Sequence, residues 1–508
     1  MIKILPFQPL LRQRLPEVLG NADYTDFRQT LQRINEIITA GDIDAIVIVH
    51  CLETADAEAR ERAQRNGKSY RSMSWAQQQH VHRMARQALR CAVARHLLDE
   101  AYRPFSCRLA DSPLLQEFCL ISALGPIRVP SKSTLERYEK MVPEELIRQM
   151  VLQLTHQAGT PVGADGKQIF GLAESIDMEV YFLDTTCLQA NIHFPVDWVL
   201  LRDATVTLMK AVKLIRNRGL KHRMQEPGEF IKEINRLTIQ MSQARNRKGS
   251  KKERKKILRL MKRVLKKIRG HAQRHRELMV DRRQETGLTE KQAAQIVKRL
   301  DGVLEKLPEA IRQAHERIIG ERLVKNEQKI LSLYEEDLHV MVRGKAGARV
   351  EFGNTLLIGE QRQGLIVDWK LYRDQVPSDQ KILRESVERM EKGLEGYLPK
   401  WVVSDRGFFS VSNKRYLEGR GIRDGMCPKS VQELRRRMED GEFREHQRRR
   451  GQTEGRIGIV KNEFLGRPLR SKGFESREMS VGWAVLAHNL WVIARLPEAE
   501  VEEQQEAG

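Results

Sequence analysis

Three acids in this chain stand where their types and contexts could do chemistry. Asp184 closes the apolar run Tyr181-Phe182-Leu183. Asp405 closes a second apolar run, Trp401-Val402-Val403-Ser404. Glu454 lies among arginines, in Arg450-Gly451-Gln452-Thr453-Glu454-Gly455-Arg456. A carboxylate at the mouth of a buried strand is costly unless it is paired, hydrated or bound to a cation. Acids at strand carboxyl ends of an α/β sheet share a rim. Such a rim of hard oxygen ligands suits Mg²⁺ or Mn²⁺, not zinc. Two such ions activate an attacking water or 3′-hydroxyl and stabilise the leaving oxygen, which is the chemistry of phosphodiester cleavage and strand transfer. Each acid also has an ordinary reading, since a strand-end Asp often caps a turn or helix. Asp368 and Asp374 have that reading and no assigned role. His193 is read as orienting the loop after Asp184, with a general base as its alternative.

Composition narrows the partners. The 508 residues carry a formal net charge of +21, which points to a polyanion, nucleic acid first. Ribosomal and membrane-surface proteins share such charge. The 6 cysteines include no C-x-x-C pair, so neither a disulfide framework nor a zinc finger is expected and a reducing compartment fits. No run reaches the roughly 18 apolar residues of a membrane span, and Met1 to Pro6 opens no long apolar core. The expected location is the cytoplasm, nucleoid-associated when bound to DNA.

The elements that must position the acids follow in order. Residues 1–150 are expected to be helical and to bind DNA. One helix runs over Trp75 to Glu100, another from Ser112-Pro113 to Gly125-Pro126. A third begins at Ser133-Thr134-Leu135-Glu136, a capping-box spacing. With Lys132, Arg137 and Lys140 these short helices form either a helix-turn-helix-like reader or an ordinary bundle. A joint with Gly159, Gly163 and Gly166 leads to the Asp184 strand, and an amphipathic helix follows over Asp197 to Leu220. From about Glu226 to Glu335 a charge-rich helical block is expected, with Thr289 and Gln292 capping one helix. Its helix near residue 260 sets Ile257, Leu258, Met261, Val264, Leu265 and Ile268 against Lys255, Lys256, Arg259, Lys262 and Lys266. With little interleaved acid, that basic face reads as a phosphate track in preference to a solvated surface.

Beyond His339 the pattern turns to short strands: Val340–Val342, Val350–Phe352, Leu356–Ile358 and Leu365–Val367, divided by glycines. A helix is expected over Gln380 to Leu394 before the Asp405 strand. A basic linker (Arg435 to Arg437, Arg448 to Arg450) then leads to Glu454 near the start of a helix, and to a helix holding Trp483 and Trp491 as core aromatics. Residues 497–508 read as a frayed acidic tail.

Taken in order, these motifs resemble a family. Asp184-Thr185-Thr186 with Asn191-Ile192-His193-Phe194-Pro195 and Asp197 resembles the first catalytic motif of bacterial insertion-sequence transposases of the DDE type. Ser404-Asp405-Arg406-Gly407-Phe408 resembles the second. The third motif of that family reads Tyr, two residues, Arg, three residues, Glu, six residues, Lys. Arg450, Glu454 and Lys461 fall at those spacings, and Gln447 stands in the tyrosine position. Ser332-Leu333-Tyr334, Arg343-Gly344-Lys345, Val350-Glu351-Phe352-Gly353 and Leu486-Ala487-His488-Asn489-Leu490 also resemble the family. The resemblance implies an α/β ribonuclease-H-like catalytic domain of the retroviral-integrase superfamily, interrupted by an α-helical insertion and preceded by an all-α N-terminal domain. It implies catalytic residues and metal ligands Asp184, Asp405 and Glu454, with Asp405 on the fourth strand of the fold, and two Mg²⁺ or Mn²⁺ ions. It implies DNA contacts by Arg450 and Lys461. The catalytic domain would occupy residues 170–220 and 336–496, the insertion 221–335. The partners implied are double-stranded DNA, both element ends and target, and further copies of the chain assembled on DNA. The competing readings are a catalytically inactive or repurposed DNA-binding protein and a metal nuclease without strand transfer.

Overall fold

The computed structural model describes residues 14–161, 168–342, 350–376, 378–467 and 469–499. Helices come first: α1 (Ala22–Ala40), α2 (Ile43–Arg65), α3 (Trp75–Leu97), α4 (Tyr102–Asp111), α5 (Pro113–Phe118), α6 (Lys132–Lys140) and α7 (Glu144–Gly159). The helix expected to reach Gly125 is only α5. It stops at Phe118, and Leu120 takes a left-handed φ of 58°. Helix α6 is capped by Ser131, whose hydroxyl accepts from Thr134 N, not by Ser133. Lys132 and Lys140 are the first and last residues of that helix and both pair with Glu136, while Arg137 is exposed. Gly163 and Gly166 of the expected joint lie outside the described residues.

Strand β1 (Val180–Gln189) follows, then α8 (Asp197–Asn217), α9 (Pro227–Arg245), α10 (Lys251–Asp281) and α11 (Glu290–Ile318). The expected capping box is present: Thr289 accepts from Gln292 N, and the Gln292 side chain accepts from Thr289 N. The helical block stops at Ile318, short of Glu335. Its four helices share a core that includes Leu208, Met241, Leu265 and Leu307, as the apolar stripes of each predict.

The chain then returns to the sheet with β2 (His339–Val342), β3 (Val350–Glu360) and β4 (Ile366–Leu371), followed by α12 (Asp379–Gly393), β5 (Trp401–Ser404), α13 (Val411–Glu418), β6 (Arg423–Met426), α14 (Val431–Arg437), α15 (Gly441–Ile459) and α16 (Phe474–Ile493). The sheet order is β2-β3-β1-β5-β6, with β4 also on β3. Strand β3 lies antiparallel to β1, while β1, β5 and β6 run parallel. Two expected strands, Val350–Phe352 and Leu356–Ile358, are one. Gly353 does not divide them: a Cβ there would lie 2.0 Å from the Leu188 carbonyl oxygen. The glycine lets two backbones approach within a continuous strand. Because β2 adds a short strand outside it, Asp405 follows the fifth strand in chain order.

Alternation along β1 sends odd and even side chains to opposite faces. Tyr181 and Leu183 pack with Leu383, Val387 and Met390 of α12. Val180 and Phe182 pack with Phe443 of α15. Helix α16, with Trp483, Leu486 and Leu490, packs on Leu356, Ile358 and Trp369 and extends the same core into α1–α7. Asn489 ties α16 to β4 through both polar atoms of its amide: Oδ1 accepts from Ile366 N (3.0 Å) and Nδ2 donates to Ile366 O (2.7 Å). The expected frayed tail is partly held, since Glu498 bridges to Leu172 and pairs with Arg33. Residues 500–508 of that tail, and Arg343-Gly344-Lys345, lie outside the described residues.

Candidate active site

Asp184 does not end its strand. Strand β1 continues to Gln189 because β3 keeps pairing with it as far as Gln189↔Gly353. Parallel β5, however, stops at Leu183↔Ser404. Asp184 therefore stands where its parallel neighbour ends, and Asp405 is the next residue of that neighbour. The two acids are brought to one level by register alone.

By alternation Asp184 faces α15, as Val180 and Phe182 do. Its Oδ1 accepts from Thr185 N at 2.7 Å. Burial pushes its carboxyl up from the ordinary 3.8 to about 6, and the charges of Asp405 and Glu454 push the same way. The Thr185 N–H and the Arg450 guanidinium oppose them. Asp405 Oδ1 accepts from Gly407 N at 2.8 Å, closing a tight turn after β5.

Glu454 is not near a helix start, and Arg448 to Arg450 are not a linker. All lie within α15, and Arg435 to Arg437 lie in the last turn of α14. Glu454 is exposed, with Arg450 Nη1 3.8 Å from its Oε1. One turn earlier Gln447, in the tyrosine position, donates to Gly425 O (2.6 Å) and Ser404 O (3.4 Å), tying α15 to the ends of β6 and β5. Beyond α15 a π-helical turn, Val460–Phe464, turns Lys461 onto β1. There its ammonium donates to Thr186 Oγ1 (3.2 Å) and Cys187 O (2.7 Å).

Two nearby acids were not singled out from the sequence. Asp379, at the first turn of α12, accepts from Thr185 Oγ1 at 3.0 Å. Its Oδ2 and Asp405 Oδ1 flank Gly407, where a Cβ would lie 2.6 and 3.0 Å from them. Nothing in the sequence distinguishes it from an acid stabilising a helix N-terminus. Glu360 closes β3 and is fully buried. It carries the same signal as Asp184, an acid ending an apolar run.

The remaining sequence-derived residues are placed as follows. His193 is exposed on the loop after β1. Asp197 is buried at the start of α8, accepting from Gln313 Nε2 and Arg317 Nη1, each at 2.9 Å. Trp483 is a core residue, as expected. Asp368 is a buried network acid, not a cap. It accepts from Ser386, Arg389 and Arg148. On α10, Lys256, Arg259 and Lys266 are exposed, while Lys255 and Lys262 are half-buried. Lys255 pairs with Glu321 at 2.8 Å, and Lys262 lies 3.3 Å from His315 Nδ1.

The donor set is chemically suited to a hard divalent cation: carboxylate oxygens, one of them desolvated beside two further carboxylates. Its spacing is more open. Among the described residues no three His, Cys, Asp or Glu side chains are grouped closely enough to hold a metal ion. No helix among them is long and apolar enough to cross a membrane.

Comparison with known proteins adds one finding. Residues 344–490 match the family model described as the transposase DDE domain. The matched segment holds Asp405, Glu454 and Lys461 and leaves Asp184 outside it. No curated protein and no solved structure matches the chain. Over that segment the chain is similar to the transposase DDE domain of insertion-sequence elements.

Proposed function

We propose that this chain is a divalent-metal-dependent transposase that cuts at the inverted-repeat ends of its element and joins the 3′-hydroxyls to target DNA. The observation that carries the reading is the charge coupling at Asp184. Burial and the neighbouring Asp405 and Glu454 all oppose its ionisation, which a divalent cation would relieve. Asp184, Asp405 and Glu454 would hold Mg²⁺ or Mn²⁺, two ions on this reading. Bound there, the metal supplies activation of the attacking oxygen and stabilisation of the leaving one.

The chain's own residues supply the rest. Asp184 and Asp405 hold their carboxylates at one level through the β1–β5 register. Glu454, on an exposed helix face, completes the set by turning from Arg450 toward Asp184. Arg450 and Lys461 bring positive charge to the DNA backbone. For Lys461 that contact competes with its bonds to Thr186 and Cys187. The sheet is read as a ribonuclease-H-like catalytic domain of residues 170–220 and 336–496. On this reading residues 221–335, which hold α9–α11, form an insertion, and residues 1–150 form a helical DNA-binding region. A basic face on α10 and the net charge of +21 support a DNA substrate. Several copies of the chain would assemble on the two ends.

A second reading is favoured by the open spacing of the acids: a DNA-binding protein that no longer cuts. One experiment separates the two. The purified chain is incubated with duplexes carrying the repeats that flank its gene, in Mg²⁺, Mn²⁺ or chelator, and the products are resolved. Metal-dependent cleavage with joined products supports the transposase. Cleavage without joining identifies a nuclease, and a footprint without cleavage in any metal identifies the binding protein.

A further inference from the structure

Helix α15 carries half-buried Arg450 and exposed Glu454 on the side where Gln447 bonds Gly425 O and Ser404 O. Its opposite side packs Phe443 and His446 on Phe182 and Trp401 and converges on one buried acid. Glu360, the last residue of β3, is fully buried. Its Oε1 accepts from Arg449 Nη1 (3.0 Å) and Thr453 Oγ1 (2.7 Å), and Arg456 Nε lies 3.7 Å from its Oε2. Residues 449, 453 and 456 are spaced by four and three, so one helix face converges on one carboxylate. Arg449 also donates to Arg362 O (2.7 Å) and lies over the Phe182 ring at 4.8 Å. Glu360 is itself the register partner of Phe182, and Asp184 is the next residue of β1 on that face.

We propose that Glu360 is a positioning residue for the site. It fixes the height and rotation of α15 on the sheet, and so holds Arg450 and Glu454 over Asp184. Arg450 and Glu454 each follow a clamped residue, Arg449 and Thr453, and so lie about 100° further round the helix. A helix slip of one residue would move both by about 1.5 Å and turn them away from the rim. A buried carboxylate facing two guanidiniums is weak evidence for stability as such. Its geometric specificity is what the site uses. The proposal rests on the reading of Asp184, Asp405 and Glu454 as metal ligands.

The test uses the full-length chain and Mn²⁺ alone, with binding followed by electron paramagnetic resonance and backbone exchange followed by hydrogen–deuterium mass spectrometry without metal. Glu360→Gln should raise the Mn²⁺ midpoint at least tenfold and speed exchange at least tenfold within residues 441–459, with other segments within twofold. Thr453→Val, which removes one donor and keeps its shape, should move both readouts about threefold in the same directions. That variant decides the matter if Glu360→Gln does not fold. An Mn²⁺ midpoint within twofold of the parent overturns the positioning role, whether exchange is unchanged or rises throughout the chain. The control is Glu454→Gln. If its midpoint also equals the parent's, the metal-rim reading fails, and this assignment falls with it. If Glu454→Gln shifts and the Glu360 and Thr453 variants do not, only the positioning role falls.

Discussion

Asp184 and Asp405 stand at one level of the sheet because the residues just before them, Leu183 and Ser404, are register partners on parallel strands. More than 200 residues of chain separate the two acids, yet a single backbone pairing brings them together. The site is thus built first by the sheet and only then by α15.

The state of Asp184 predicts an unusual pH dependence. Its carboxyl is raised from 3.8 to about 6, chiefly by burial. The folded chain therefore holds this proton more tightly than the unfolded one. Its contribution to stability is most favourable below the ordinary carboxylate range, falls as pH rises from 3.8 to about 6, and is flat above. Asp184→Asn removes the penalty. In chelator at pH 7.5 it should unfold later than the parent, by on the order of 2 kcal/mol, and at pH 4 the two should nearly coincide. Added Mg²⁺ should stabilise the parent and not the variant. Equal melting at pH 7.5 would show that the acid is not strained.

Gly407 is expected to be intolerant of a single methyl. A Cβ there would press on Asp379 Oδ2 and Asp405 Oδ1. Gly407→Ala should fold and bind DNA but lose about 10²-fold in cleavage, the usual scale for a misplacement near 1 Å. Cleavage within threefold of the parent would mean the two carboxylates can move apart freely.

The basic face of α10 divides into two sets. Lys256, Arg259 and Lys266 are exposed, whereas Lys255 is engaged by Glu321 and Lys262 lies against His315. Replacing the exposed three by Gln should reduce the slope of log affinity against log salt by about 2 to 3, at roughly 0.9 per phosphate contact. Replacing Lys255 and Lys262 should leave it nearly unchanged. Equal effects from the two sets would remove the distinction.

Asp368 tests the sheet apart from the chemistry. It is buried and accepts from Arg389, Arg148 and Ser386, joining β4 to α12 and α7. Asp368→Ala strands two half-buried guanidiniums and should cost about 3 kcal/mol in urea unfolding, with cleavage by the folded fraction little changed. A loss below about 1 kcal/mol would place the arginines in solvent.

Much of this layout was legible in the sequence because it depends on local pattern. Asp184 and Asp405 announce themselves as acids closing apolar runs, and α10 shows its apolar and basic faces in its periodicity. What escaped depends on neighbours. Gly353 looks like a punctuation mark until the Leu188 carbonyl is seen against it. The arginines at 448–450 look like a linker until Glu360 and β3 are placed under α15. Ser133 and Ser131 both precede residues able to form a first turn, and only the backbone chooses Ser131. Asp379 and Lys255 have partners more than 60 residues away, Thr185 and Glu321, which no local pattern encodes.

The central claim is that Asp184, Asp405 and Glu454 act as one metal-binding set. The most direct measurement is Mg²⁺-dependent cleavage of duplexes carrying the element's ends by Asp184→Asn, Asp405→Asn and Glu454→Gln. Each should bind the ends within threefold of the parent and cut them at least 10³-fold more slowly, as expected when transition-state charge loses its stabilisation. Parental cleavage by any one of the three would contradict the account.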